Sequence, residues 1–345
     1  MSTTTARQRI DVRPFREDDE AGVLDLLGAS LGPGPTGSRT PEFFRWKHLE
    51  NPFGRSLMLV AEARGQIVGL RAFMRWQFEA NGRAVRAVRA VDTATHPEFQ
   101  RLGIFTRLTR AALEQLRGQA ELVFNTPNAK SGPGYLKMGW RSVRRVPLFV
   151  RIRRPTRFFR GLRTPAAREA SPTAETLGVD APTAAEALAD TGSLGRLLDE
   201  LGQDPRSLVT PRSLEYLWWR YGAAPHLGYR GLQETSSGNV RGLAFFRVRP
   251  RGGLWETTVA DLLVPPDDLR TASKLLHRVV NAAPVDHVAC SFPAGSVALR
   301  AARRRGFLPV PGPVRLVVNP LEGELTPDPA RWSSWALSLG DLEVF

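Results

Sequence analysis

What the chain lacks narrows its chemistry first. One cysteine, Cys290, in 345 residues excludes a disulfide framework and any zinc or iron–sulfur centre built on several cysteines. The five histidines, His48, His96, His226, His277 and His287, are scattered with none at a close metal-ligand spacing, so no metal is expected. No apolar run reaches the roughly eighteen residues that a membrane-spanning helix needs. The opening segment, MSTTTARQRIDVRPF, has no apolar core and does not read as a secretory signal. These absences predict a soluble protein of a reducing cytoplasm.

Lysine is scarce as well. Only Lys47, Lys130, Lys137 and Lys274 stand among 48 basic residues, which outnumber 34 acidic ones and leave a net charge of +14. A polyanionic partner, such as nucleic acid or a phosphorylated ligand, is one reading of that excess. The other is compositional: arginine with abundant Ala, Gly and Pro is what GC-rich coding produces. The one dense run, nine arginines between Arg141 and Arg163, alternates with Val, Phe and Ile as a strand does. The compositional reading is preferred, and nucleic acid is not expected as a partner. At 42% hydrophobic the chain has ample material for packed cores, and its length suggests two domains at roughly 150 residues each.

The sequence also repeats itself. Thr40-Pro41 with Trp46 and Pro52 has a counterpart in Thr210-Pro211 with Trp219 and Pro225. Asp92 to Pro97 corresponds to Asp261 to Pro266, Asn125-Thr126-Pro127 to Ser291-Phe292-Pro293, Gly139-Trp140 to Gly306-Phe307, and Val146-Pro147 to Gly312-Pro313. Five anchors keep their order at offsets between 166 and 173. Two copies of one α/β domain, each a mixed α+β sheet, are therefore expected: residues 8–153, a linker 154–173, residues 174–319, and a tail 320–345 that docks through Trp332 and Trp335.

The first copy reads as helices over 17–31 and 41–49, with Thr40 as N-cap and Pro41 at the first position. Strands 57–63, 66–78 and 83–95 follow, joined by Arg64-Gly65 and Asn81-Gly82 turns. A helix over 101–116, a strand 122–125, a short helix 131–138 and a final strand 143–152 complete it. The second copy repeats the pattern, with helices over 269–280 and 296–305 and a last strand 314–318.

The informative segment is Val91 to Leu108. A strand ends at Thr95 and a helix begins near Arg101, with Gly103 in its first turn. Free amides at a helix N-terminus can cradle a pyrophosphate, and a residue without Cβ lets it approach. An ordinary strand–helix turn is the competing reading. Gln100-Arg101-Leu102-Gly103-Ile104-Phe105 resembles the acetyl-coenzyme A loop, Gln/Arg-x-x-Gly-x-Gly/Ala, of the GNAT N-acyltransferase superfamily, with bulky Phe105 where that family has a small residue. A second motif agrees: Asn128, Tyr135, Gly139 and Trp140 stand at the spacing the family carries after its fifth strand.

The resemblance implies a tandem duplication of the GNAT fold and acetyl-CoA, or another acyl-CoA, as co-substrate. It implies that Thr93, Ala94 and Thr95 offer backbone groups to the pantetheine arm. Gln100, Arg101, Leu102, Gly103, Ile104, Phe105 and Thr106 would bind the pyrophosphate, and Asn128 would contact the coenzyme or order its loop. Tyr135 would be the general acid near the thioester sulfur. Amine acylation also needs a neutral nucleophile, because an alkylamine of pKa about 10.4 is almost wholly protonated at neutral pH. Candidates for the base are Asp92, His96, a water, and the chain's own carboxylate at Phe345, the last by similarity to the two-copy enhanced intracellular survival acetyltransferases. Asp92 also reads as a structural anchor, because Asp261 takes its place in the second copy. That copy has Pro266-Asp267-Asp268-Leu269-Arg270-Thr271 in place of the loop and Ala302 in place of the tyrosine, so it reads as disabled for coenzyme. The expected activity is transfer of acetyl to the amine of a small molecule or amino sugar. A non-catalytic acyl-CoA-binding module and an O-acyltransferase using a longer acyl chain are the rivals.

Overall fold

Chain order is β1 (Asp11–Pro14), α1 (Glu20–Leu31), α2 (Pro41–His48), β2 (Leu57–Ala63), β3 (Gln66–Ala80), β4 (Arg83–Thr95), α3 (Ile104–Leu116), β5 (Leu122–Asn125), α4 (Gly132–Lys137), β6 (Arg141–Arg145) and β7 (Leu148–Ile152). There follow α5 (Pro155–Arg163), α6 (Ala184–Ala187), α7 (Thr191–Glu200), α8 (Leu214–Leu217), β8 (Arg230–Ser236), β9 (Asn239–Arg251), β10 (Leu254–Leu263), α9 (Leu269–Asn281), β11 (His287–Cys290), α10 (Val297–Arg304), β12 (Leu308–Val310), β13 (Arg315–Pro320) and α11 (Leu339–Leu342). The structure is a computed structural model; it describes residues 9–32, 39–129, 131–163, 177–202 and 204–342.

Local chemistry sets most of these elements. The hairpin turns Arg64-Gly65, Asn81-Gly82, Ser237-Gly238 and Gly252-Gly253 all have positive φ at both central residues. That is the type I′ geometry whose twist matches the flanking strands. The Thr40 side chain accepts from the Phe43 amide at 3.2 Å and starts α2. Its equivalent, Ser213, accepts from the Tyr216 amide and starts α8.

The chain forms two mixed sheets, ordered β1-β2-β3-β4-β5-β13-β6 and β12-β7-β11-β10-β9-β8. Apart from β1 the two orders correspond, with one difference from the sequence reading. Residues 143–152 do not form one final strand. They divide into β6, in the first sheet, and β7, which pairs antiparallel with β11 and β12 in the second. In return β13 leaves the second half and inserts between β5 and β6. The divider is the Val146-Pro147 step, where proline interrupts a ladder by lacking an N–H. The 155–163 part of the expected linker is helical; residues 164–176 lie outside the described residues.

The two crossing segments meet at Val146 and Gly312. The Val146 amide donates to Val314 O at 3.0 Å, and a Cβ on Gly312 would sit 1.8 Å from Val146 O. One core spans both halves. Trp46 and Trp219 stack with ring centroids 5.1 Å apart, and each indole N–H donates to the other's backbone carbonyl, at 2.7 and 2.8 Å. The tail docks on this core: Trp335 is buried against Phe78 and Phe124.

Two outcomes follow from the exchange. Gly312→Ala is expected to cost about 3 kcal/mol or more in chemical denaturation, because backbone and not a flexible side chain opposes the new methyl. Gly195→Ala, in α7 where a Cβ meets nothing within 4 Å, serves as the neutral control. A chain cut after residue 153 leaves β5 and β6 without the strand between them, so its amide exchange and circular dichroism should be those of an unfolded or aggregated polypeptide.

Candidate active site

The parallel pairing of β4 with β5 runs only from Ala87↔Leu122 to Arg89↔Phe124. Beyond it β4 continues to Thr95 alone on that side, while its other edge stays paired to β3 through Gly69↔Thr95. The strands splay, and a cleft of about 1530 Å³ opens between them. Among the described residues, no strand covers the β4 edge from 90 to 95, which leaves extended backbone able to pair with a ligand.

At the mouth of the cleft stands α3. Its N-cap is Gly103, in left-handed conformation at φ +75, and no side chain caps the helix. Arg101 is also at positive φ. The first amides of a helix have no partner within it, so they and the helix dipole face the cleft as an anion site. A Cβ at Gly103 would meet nothing within 4 Å, so the loop is open to a bulky ligand. Thr93, Ala94, Thr95, Gln100, Arg101, Gly103, Ile104, Phe105 and Asn128 all line the cleft, as do Asp92 and Tyr135. Leu102 and Thr106 do not; Leu102 points to solvent. His96 lies outside the cleft, where its Nδ1 accepts from the Glu98 amide. Phe345 lies outside the described residues, whereas Leu342, three positions earlier, lines the cleft.

Tyr135 sits on α4, buried, with Trp140 at 4.5 Å and Phe105 at 5.6 Å between ring centroids. Phe105 fits because Gly134 faces it; a Cβ there would lie 3.1 Å from its ring. Asn128 orders the preceding loop, its side-chain oxygen accepting from the Ser131 amide and hydroxyl. The Tyr135 hydroxyl accepts from Arg71 Nη1 at 2.6 Å. Arg71 is fully buried on β3 and also donates to Thr93 Oγ1. Burial pulls this guanidinium below its ordinary range, against the Tyr135 oxygen. Sequence reasoning missed Arg71, although an arginine inside the otherwise apolar stretch Val68 to Met74 was a visible signal.

Asp92 is the bulge residue of β4, at φ +36, between the pairs Ala72↔Val91 and Arg71↔Thr93. Its carboxylate contacts Lys47 Nζ at 2.7 Å and His48 Nε2 at 2.8 Å, both buried on α2. Burial alone would raise its pKa; Lys47 and His48 override that and hold it far below the usual carboxylate range. His48 is therefore the Nε2–H tautomer, with Nδ1 2.9 Å from the Ser56 hydroxyl, and burial pushes its pKa down. The equivalent Asp261 is held by the Tyr221 hydroxyl at 2.6 Å and Arg212 at 3.0 Å, residues on either side of α8, so both halves anchor this strand position to the segment that carries the preceding helix.

The second half differs where the coenzyme loop would be. The Asp268 carboxylate accepts from the Thr271 amide at 2.9 Å and caps α9 itself. The amide that α3 leaves open is thus satisfied here, and its neighbourhood is anionic. The second half instead supplies a cleft wall through Arg249, Arg251, Glu256 and Thr258. Glu256 is buried and held low, against its burial, by His287, Arg251 and Arg249. Burial pushes the Cys290 thiol up, as fits an inert core residue. Among the described residues, no His, Cys, Asp or Glu cluster could hold a metal, and no helix is long and apolar enough to cross a membrane.

The Asp92 cluster carries a pH dependence. With both the Asp92 and His48 pKa values depressed in the folded state, the unfolded chain takes up protons first as pH falls. Stability present above about pH 6.5 is expected to decline below it, first through His48 and then, below about pH 4, through Asp92. Urea midpoints between pH 5 and 7.5 should flatten in His48→Gln. Asp92→Ala, which leaves Lys47 buried without its counter-ion, should lose about 3–5 kcal/mol.

Comparison with known proteins agrees with this geometry. Residues 11–143 match the family model of the acetyltransferase (GNAT) domain. No curated protein matches the sequence. A GCN5-related N-acetyltransferase from Anabaena variabilis superposes with a TM-score of 0.59 at 12% identity, covering 91% of this chain and 73% of that one. A probable N-acyltransferase from Enterococcus faecalis gives 0.58 at 12% identity over 91% and 73%. Eis1 from Mycobacterium abscessus gives 0.54 at 14% over 92% and 74%. At these identities the likeness is one of fold, and it extends over both sheets. Residues 11–143 thus match the GNAT acetyltransferase domain, and the fold of the chain over both sheets is that of the GNAT structures it superposes on.

Proposed function

We propose that the protein is an acyl-CoA-dependent N-acyltransferase that moves acetyl from acetyl-CoA to the amine of a small molecule or amino sugar, within a ternary complex. The observation that carries this reading is the uncapped α3 N-terminus opening into the same cleft as a buried tyrosine hydroxyl. The residues fit the co-substrate: the α3 amides and Gly103 suit its pyrophosphate, and the free β4 edge at Thr93–Thr95 suits its amide-bearing arm.

In this reading the acceptor amine attacks the thioester carbonyl. The C–N bond forms, the C–S bond breaks, and Tyr135 gives its proton to the departing sulfur. The amine's surplus proton leaves to water in the open cleft. Asp92 shapes the bulge and not the proton path, because a carboxylate held so far down is a weak base. The second half contributes the facing wall, where Arg249 and Arg251 outnumber Glu256, and not a second coenzyme site.

The test is thermal unfolding with acetyl-CoA and longer acyl-CoAs, followed by turnover against amine libraries with the best donor. Acetyl-CoA at a hundred times its Kd should add about 2.7 kcal/mol of stability. Tyr135→Phe should lower kcat by about a hundredfold or more while leaving coenzyme affinity within about threefold. Absence of both stabilisation and isothermal heat with every acyl-CoA would overturn the reading.

A further inference from the structure

Arg71 is a charged group placed where burial makes it costly. It is fully buried, no ion pair joins it to a carboxylate among the described residues, and its Nε and Nη2 have no hydrogen-bond partner. Such a guanidinium is expensive to keep. What surrounds it is aromatic: its centre lies 4.3 Å from the Phe73 ring centroid, 5.3 Å from Tyr135 and 5.7 Å from Phe105. Its Nη1 reaches two oxygens, the Tyr135 hydroxyl and Thr93 Oγ1. Arg71 itself is not part of the cleft wall, whereas both of those residues are.

We infer that Arg71 is the positioning residue for Tyr135, and that it acts by dictating where the tyrosine's proton points. This rests on the acyltransfer reading above. A guanidinium only donates. The Tyr135 oxygen must therefore accept from it, and its own O–H cannot turn toward the protein interior. The proton is left facing the cleft, on the side where the sulfur becomes basic. Once it is transferred, the phenolate forms 2.6 Å from a cation already in place, in a site of low dielectric where that attraction is strong.

The same group sets a distance. Pairing between β4 and β5 stops at Arg89↔Phe124, so no backbone ladder spans the splay. Arg71 bonds to Thr93 on β4 and to Tyr135 on α4, the helix that follows β5. One guanidinium thus joins the two walls between which the thioester must lie. Its register opposite Thr93 places it there.

The experiment compares Arg71→Lys, Arg71→Gln and Arg71→Met, each alone and in a Tyr135→Phe background, by kcat, KM for acetyl-CoA and thermal unfolding. Lysine keeps a pure donor; glutamine restores a hydrogen bond but can accept, and so permits the tyrosine proton to turn inward. The expected order of kcat is Arg above Lys, with Gln and Met lower than the parent by about tenfold or more and KM for acetyl-CoA within about threefold. In Tyr135→Phe the same substitutions should change the residual rate by less than about threefold, because the two residues act as a unit. A structural role alone predicts that the losses multiply and that glutamine is as good as lysine; either result would overturn the assignment. Should the methionine variant fail to fold, the lysine–glutamine contrast decides. An unmodified protein without turnover would remove the functional reading and this inference together, whereas normal turnover in Arg71→Gln would remove only the inference.

Discussion

The reciprocal Trp46–Trp219 contact is the point about which the molecule is organised. Each indole satisfies its N–H on the other residue's carbonyl, and the rings stack across the join. A contact in which equivalent residues exchange equivalent bonds is what an isologous two-fold interface requires, here built within one chain. The exchange of β7 and β13 obeys the same relation, crossing at Val146 and Gly312. Because each sheet contains a strand from the other half, neither core closes without its neighbour. The cleft inherits this: β4, α3 and α4 supply one side and the β9–β10 hairpin the other.

The arginine excess takes on a different meaning in three dimensions. Part of it is not on the surface. Arg89 donates to the carbonyls of Asp341 and Leu342, and Arg220 to that of Gly340 and to the Tyr229 hydroxyl. Arg212 joins Asp261 and Asp341. Arg89 fastens α11 to β4, the strand at which the cleft opens, and Arg220 ties it to the turn after α8, both through backbone carbonyls of α11, while Arg212 holds the Asp341 carboxylate. Net charge alone could not separate this use from a footprint for a polyanion.

The two halves also differ in how one framework ends the loop before its central helix. Gly103 leaves the α3 amides open, whereas Asp268 closes those of α9 with its own carboxylate. The anchoring of the bulged strand survives in both, with His48 and Lys47 on Asp92 in one and Tyr221 and Arg212 on Asp261 in the other. The loop before the helix differs between the halves while an anchor on the strand aspartate is present in both, though built from different side chains, as expected if the anchor serves folding.

Much of this was written locally. Asn81-Gly82 and Ser237-Gly238 enforce their turns because few residues tolerate positive φ twice in succession. Thr40 and Ser213 start their helices by capping, and the glycine at 103 marks its loop through backbone freedom. The repeat was legible because it rests on residues such as Trp46 and Trp219 that pack against each other. The partner strand of β5 was not legible, since β7 and β13 are equally good apolar strands and local pattern does not say which sheet each joins. Only the crossing at Gly312, where two backbones touch, decides it. Nor could composition assign Arg71 a place beside Tyr135, 64 residues away in the chain. That neighbourhood exists because strand register and helix packing converge there, and register is a property of the assembled sheet.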